Sequence, residues 1–345
     1  MSKSKNRKYW GMVSPHMPAN VIAQIARQQE DAGLEGTFAA QVFGPPFIPL
    51  AVAASSTERL KLGSGIAIAF TRSPFETAMA AIDMDRVSNG RFVLGLGSSV
   101  QSWVQGMYGM PYGKPVAQLR EAVDVIRQVV AVGHSGELKA WNGQYYQFDF
   151  SEMPPLPPPP RTRIPIWISA LRGAMTRLGA EIGDGLIGHP IWSLDWLRTS
   201  IADQIKAGLD RAGRKRSDLE VNCWFWVTPN QDPRQSVEDA RACVAFYGGI
   251  EQYEDYFAAH GFREEARLLQ AGVKRGDYQS VAQLVPDEMA QTFVITGTPD
   301  EVRRKLEPAW DLADSMCLIP PVLSLAPEQI EAYFATIAET FYQDL

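Results

Sequence analysis

The sequence predicts a (β/α)8 (TIM) barrel with inserted helices, and three observations predict it. Eight apolar runs of strand length recur along 345 residues, they are apolar almost throughout instead of alternating, and amphipathic segments separate them. Strands buried on both faces read as continuous apolar runs, and strand–helix alternation implies a parallel sheet with helices outside. An open doubly wound sheet is the alternative, but eight repeats with no midpoint linker point to closure.

In order, the runs are "KYWGMV" (8–13), "GTFAAQV" (36–42), "LKLGSGIAIAF" (60–70), "RFVLGLG" (91–97), "IPIWISA" (164–170), "GLIGH" (185–189), "VNCWFWV" (221–227) and "MCLIP" (316–320). Between them lie helix patterns such as "NVIAQIARQQEDAG", "PVAQLREAVDVIRQVVAVG" and "SLDWLRTSIADQIKAGLDRAG". The first and third close on Gly after a polar last turn, an ordinary helix stop. Two segments exceed a minimal barrel. Residues 133–163 carry "WNGQYYQFDF" and "PPLPPPPR"; proline has no N–H and a fixed φ, so that run is an extended connector. Residues 229–298, rich in aromatic and charged side chains, read as inserted helices forming a lid. Residues 1–345 are expected to make one domain. Lys3, Lys5, Arg7 and Lys8 form a basic tail, with residues 1–7 expected to be disordered.

Composition narrows the function. Hydrophobic content is 46%, charged content 21% and net charge −6, so no basic surplus exists to displace counterions from a nucleic acid. No apolar run reaches the roughly 18 residues that cross a bilayer, and the basic N-terminus lacks an apolar signal core, so a cytoplasmic protein is expected. Cys223, Cys243 and Cys317 are too far apart for a CxxC site and are expected as buried thiols. His16, His134, His189 and His260 show no metal-ligand spacing, so no metal site is expected.

The stretch "DRVSNGRFVLGLGSS" (85–99) ends in small residues only. As a dinucleotide fingerprint it fails, because Val100 stands where a third glycine is needed. Gly97, Ser98 and Ser99 make either a plain rim turn or a wall against which a flat cofactor can lie. In "IPIWISALRGAMTRLGAEIGDG" a buried strand passes through Ser169, Ala170, Leu171, Arg172 and Gly173 into a helix. Free N–H groups at that helix start, with the Arg172 charge, suit a phosphate; Arg172 could equally be a solvated first-turn residue. Asp85, Arg86, Gly90 and Arg91 are expected to fix the helix–strand join. Trp192, Trp224 and Trp226 read first as core.

That stretch, with "YGMPYGKPVAQLREAVDVIRQVV", "GQYYQF", "IPIWISA…RLGAEIGDGLI" and "ITGTPDEVRRKL", resembles the bacterial luciferase-like superfamily, in the same order from about residue 8 to about 320. The resemblance implies a (β/α)8 barrel with a flavin or coenzyme F420 at its C-terminal mouth, and commonly a homodimer. It implies a phosphate site at Ser169, Ala170, Leu171, Arg172, Gly173 and Ala174, and a ring-side wall at Gly97, Ser98 and Ser99. It also implies a strand-three bulge with a cis peptide at Gly65-Ile66. The Asp-His pair that ends strand two in the F420-dependent sugar-phosphate and alcohol dehydrogenases is here Ala40-Gln41, and their acid after strand four is Val100. Gln41 can donate and accept hydrogen bonds but cannot take a proton. His16, in "SPHMP", and His189, in "GLIGHP", are candidate proton donors at strand ends, although either could be a plain loop histidine. The expected function is hydride transfer from reduced F420 to a small apolar unsaturated or carbonyl substrate. Alternatives are an FMNH2-dependent monooxygenase and a non-catalytic flavin-binding barrel.

Overall fold

A computed structural model describes residues 7–275, 278–343 and 345, with only the backbone described at 278 and 279. Lys3 and Lys5, and residues 1–6 of the expected tail, lie outside the described residues. The chain forms two compact units, one of Trp10–Ile187 with Asp203–Glu220, the other of the described residues up to Tyr9, Gly188–Ala202 and the chain from Val221 onward.

The first unit carries the parallel strands β1 (Lys8–Met12), β2 (Gly36–Ala39), β3 (Lys61–Ser64), β4 (Ala67–Ile68), β5 (Phe92–Gly97), β8 (Ile166–Ala170) and β9 (Gly185–Gly188). Between β5 and β8 a short antiparallel hairpin forms from β6 (Trp141–Asn142) and β7 (Gln147–Phe148). β1 to β5 and β8 pair in parallel, each with the next in chain order, except that β3 and β4 both pair β5. Inside this unit Trp10 stacks on Phe38 at 4.4 Å, and Trp167 lies 5.2 Å from Trp10 at a tilt of 56°. These three rings fill the sheet's inner face, a large apolar payload with favourable offset geometry. The second unit holds β10 (Glu220–Pro229), β11 (Ile295–Gly297) and β12 (Ser315–Ile319), with β10 parallel to both others. These strands, each run followed by its helices, are those of a (β/α)8 barrel.

The quoted motifs are joints. At "SNGR", Asn89 and Gly90 both take positive φ, 51° and 79°, and Arg91 donates to Ser88, Leu60, Ala54 and Thr57 carbonyls and to Thr57 Oγ1. Asp85, fully buried, receives a two-pronged bond from Arg161 of the proline connector, which also donates to Phe92 O. In "GQYY" the Glu121 carboxylate accepts the backbone N–H groups of Gln144, Tyr145 and Tyr146 and the Trp141 indole N–H. At "GTPDEV", Thr298 and Glu301 form a reciprocal capping box on the helix Pro299–Leu306. Cys223, Cys243 and Cys317 are buried thiols, none of them in a disulfide.

Two expectations are corrected. Arg7 and Lys8 are not tail: Lys8 opens β1, and Arg7 pairs with Glu307 at 2.6 Å. The segment 229–298 is not purely helical: beside the helices Pro233–Gly248, Arg263–Lys274 and Asp287–Phe293 it supplies β11, whose Ile295–Gly297 extend the ladder of β10. Among the described residues no helix is long and apolar enough to cross a membrane.

Asp85→Ala should cost about 2 kcal/mol in urea unfolding. This is less than the 3–5 kcal/mol of a fully buried broken pair, because the Arg161 side chain is 33% exposed. An unchanged midpoint would show that the connector is not held by this pair.

Candidate active site

β3 cannot stay in register with β5. Leu62 and Gly63 face Phe92 and Val93, yet Ala67 and Ile68 face Leu96 and Gly97. From Gly63 to Ala67 the chain advances four residues while its partner, Val93 to Leu96, advances three. One residue is in excess, which is a β-bulge, and the Gly65-Ile66 peptide within it is cis. Ser64 fixes the near side of the bulge, its Oγ bonding both the N–H and the carbonyl of Gly95 at 2.9 Å. A side chain at 95 could not coexist with this, since a Cβ there would sit 1.9 Å from the Ser64 carbonyl oxygen. A Cβ at Gly97 would lie 2.4 Å from Ile66 Cδ1 and 3.3 Å from Ser169 Cβ. Ile66, Gly97 and Ser169 therefore meet: glycine at the buried position 97 lets the Ile66 side chain pack onto the strand, and the partly exposed Ile66 and Ser169 form the outer face of that wall.

Gln41, at the end of β2, holds the far side. Its backbone N–H donates to Ile66 O, its Oε1 accepts from Ile68 N–H at 3.0 Å and from Arg72 Nη2 at 3.1 Å, and its Nε2 donates to Thr71 Oγ1. The amide is buried and engaged at both ends, so Gln41 orients the segment 66–72.

On the other flank, Ser99 has φ of 55° and Ser98 Oγ donates to its carbonyl. Tyr112 Oη donates to the same carbonyl at 3.1 Å and its ring packs edge-on against Phe70. Burial raises the Tyr112 pKa, opposed by its bond to Ser98 and by the Arg172 charge. Ser98, Ser99, Tyr112 and Arg172 are thus neighbours. Arg172 is the exposed N-cap of the ten-residue helix Gly173–Ile182, with no side-chain cap, and Ala174 is also exposed. The helix-start amides are available to an anion. Beside Ala174 a cleft of about 140 Å³ runs between Val116, Arg120, Arg177, Leu178, Glu181 and Arg211. A larger cavity of about 280 Å³, lined by Ile126, Val130 and Ile164 among others, lies by the start of β8 and not by these loops.

His16 is exposed in the loop after β1, its ring 5.8 Å from Phe43. In the second unit, His189 Nδ1 accepts from Ile191 N–H, leaving Nε2–H to face Tyr253 Oη at 3.0 Å, with Tyr247 edge-on at 4.8 Å. Burial pulls the His189 pKa down to about 3; it is uncharged at neutral pH and offers no imidazolium proton. His260 is also lowered by burial; it binds Ser193 Oγ and Tyr256 O. Trp192, Trp224 and Trp226 are all buried. Among the described residues no cluster of His, Cys, Asp or Glu could hold a metal ion.

The structure brings Gln41, Gly65, Ile66, Gly97, Ser98, Ser99, Ser169 and the 170–174 turn onto the loops that follow the strands of one unit. No local pattern marks Tyr112, Thr71 or Arg72; each acts through a partner 13 to 31 residues away.

With this geometry in place, comparison with known proteins is informative. The luciferase-like monooxygenase family model matches residues 5–313, and the chain belongs to that family. It is 30% identical, over 95% of its length and 96% of the other chain, to a Mycobacterium tuberculosis protein named "Putative coenzyme F420-dependent oxidoreductase". It is 29% identical to 5,10-methylenetetrahydromethanopterin reductase of Archaeoglobus fulgidus over 85% of this chain and 86% of that one. Among solved structures, the coenzyme F420-dependent tetrahydromethanopterin reductase of Methanopyrus kandleri superposes with a TM-score of 0.81 at 22% identity, covering 99% of both chains. The FMN-bound oxygenating constituent of 3,6-diketocamphane monooxygenase from Pseudomonas putida gives 0.66 at 14%, covering 97% of this chain and 98% of that one. At these identities the structural likeness carries the fold, a luciferase-like (β/α)8 barrel and not an open sheet. The relatives at 29–30% identity support an oxidoreductase.

The histidines set a pH dependence. An unfolded histidine takes its proton near pH 6.5, whereas folded His189 takes it only near 3. The unfolded state therefore binds more protons between these values, and stability falls as pH drops below 6.5, by up to about 1.36 kcal/mol per pH unit. In urea unfolding at pH 7, 6 and 5, His189→Asn should lose about 1 kcal/mol less than the parent between pH 6 and 5. Parallel curves would refute the burial of His189 as the cause.

Proposed function

We propose that the protein is a coenzyme F420-dependent oxidoreductase that reduces an apolar substrate at an electron-poor double bond or a carbonyl. The observation that carries the choice of cofactor is the arginine-lined cleft continuing past the helix start at Ala174. FMN ends at its phosphate and needs only the helix amides and one cation. F420 carries a lactyl-glutamate tail beyond the phosphate, and Arg120, Arg177 and Arg211 offer it a net positive charge against the single Glu181, which pairs Arg120 at 2.7 Å and Arg211 at 3.6 Å, while Arg177 donates to neutral Gln204. Lys114, exposed at the start of the helix Pro115–Val132, adds a further cation.

The residues present fit such a group. The wall of Ile66 and Ser169 over Gly97 offers a face to a flat ring, and Ser169 to Ala174 with Arg172 offer a phosphate site. When bound, F420 supplies the hydride, and the protein's part is to orient the substrate and exclude water. Gln41 keeps the segment behind the ring in place and moves no proton. With Gln41 and Val100 where related alcohol dehydrogenases carry proton-transferring groups, reduction of a polarised bond suits this chain better than alcohol oxidation.

Titration of the protein with F420 and FMN tests this. F420 should bind more tightly, and its advantage should shrink at high salt as the tail charges are screened. Arg172→Ala should weaken both by about 1.5–3 kcal/mol, while Arg177→Ala should weaken F420 alone. Tighter FMN binding at low salt, with oxygen consumption dependent on reduced flavin, would overturn the proposal in favour of a monooxygenase.

A further inference from the structure

Protein interiors are close-packed, and a void much larger than a water molecule is uncommon. The first unit keeps a cavity of about 280 Å³ between the helices Pro74–Val87 and Pro115–Val132 and the start of β8. Its floor is aliphatic: Leu94, Ile126, Val130, Ile164 and Ile166 line it, none of them more than 4% exposed. Its rim is not. Exposed Thr162 and Arg163 and half-buried Arg127 also line it and bring it to the surface. Two guanidiniums thus border the cavity, and no carboxylate does. Asp184, outside the lining, holds both in place: it accepts from Arg163 Nη2 at 2.5 Å and from Arg127 Nη2 at 3.4 Å, and is itself fixed by Ile166 N–H. Arg127 Nη2 donates to Ile182 O as well. These bonds all use Nη2, whereas a guanidinium has five N–H donors and stays charged in proteins. Asp124, one turn before Arg127, acts on it through space and does not line the cavity.

An aliphatic cavity takes up apolar molecules, and guanidiniums at its rim select a carboxylate by direction as well as by charge. From this juxtaposition we infer that the cavity is a second ligand site, for a small aliphatic acid. The chain of the acid lies against Ile126, Val130 and Ile164, and its carboxylate meets Arg127 and Arg163. The volume, near the lower end of small-molecule pockets, suits a ligand of that size. The cavity lies by the start of β8, whereas the anion turn at 169–174 leaves from the other end of that strand. No residue of the cavity belongs to the proposed cofactor site, so the two readings are independent.

The test uses the protein without cofactor. Hexanoate and its neutral isostere hexanamide are titrated calorimetrically into the parent protein, Arg163→Met, Ala131→Phe and Arg172→Ala, with thermal unfolding as the check on folding. Hexanoate should bind the parent more tightly than hexanamide does. It should weaken at least fivefold in Arg163→Met, where hexanamide changes less than twofold. Ala131→Phe puts a ring into the cavity from its half-buried edge and should weaken both ligands at least tenfold. Arg172→Ala, at the anion turn, should change neither. Should Ala131→Phe fail to fold, Arg163→Met carries the test, since that side chain is 79% exposed. Absence of hexanoate binding to the parent, equal binding of hexanoate and hexanamide, equal hexanoate binding by the parent and Arg163→Met, or its loss in Arg172→Ala overturns the site. None of these results touches the F420 assignment, which stands or falls on the cofactor titrations.

Discussion

The site depends on the close approach of Ser64 and Gly95. The Ser64 carbonyl fills the space where a Cβ at 95 would lie, and its hydroxyl grips both backbone groups of that glycine. This contact pins β3 to β5 just where the extra residue must be absorbed. The bulge then falls at Gly65-Ile66, turns Ile66 toward Gly97 and sends residues 68–72 to Gln41. Without a glycine at 95 the strands would separate, and the wall, the Gln41 bracket and the Arg72 position would all shift together.

From that constraint follows a division of labour within one unit. One flank of the wall carries the helix-start amides, Arg172 and Tyr112, with the arginine-lined cleft beside Ala174. The other flank has a single cation on an amide bracket. In the other unit His189, bonded to Tyr253 and kept uncharged by burial, offers no imidazolium proton at neutral pH.

Much of the fold was legible because strands buried on both faces leave continuous apolar runs, and all eight runs became strands. β11 escaped because three residues inside a helical, charged segment have no periodicity to show. Arg7 reads as tail in the sequence because its partner, Glu307, lies 300 residues on. The small-residue wall could be read from "GLGSS" and the anion turn from a strand running into a helix, since both are local patterns. Tyr112 and Arg72 could not be read, because only the folded loops bring them to Ser99 and Gln41. The bulge was legible through family resemblance alone; nothing in "LGSGIAIAF" marks the place where one residue falls out of register.

The most direct measurement is a crystal structure of the protein with F420 bound. The account predicts the deazaflavin ring against Gly97 and Ile66, its phosphate on the backbone amides of Gly173 and Ala174 beside Arg172, and its tail along Arg177 and Arg120. A phosphate bound away from the helix start, or a ring held elsewhere than at the bulge, would contradict it.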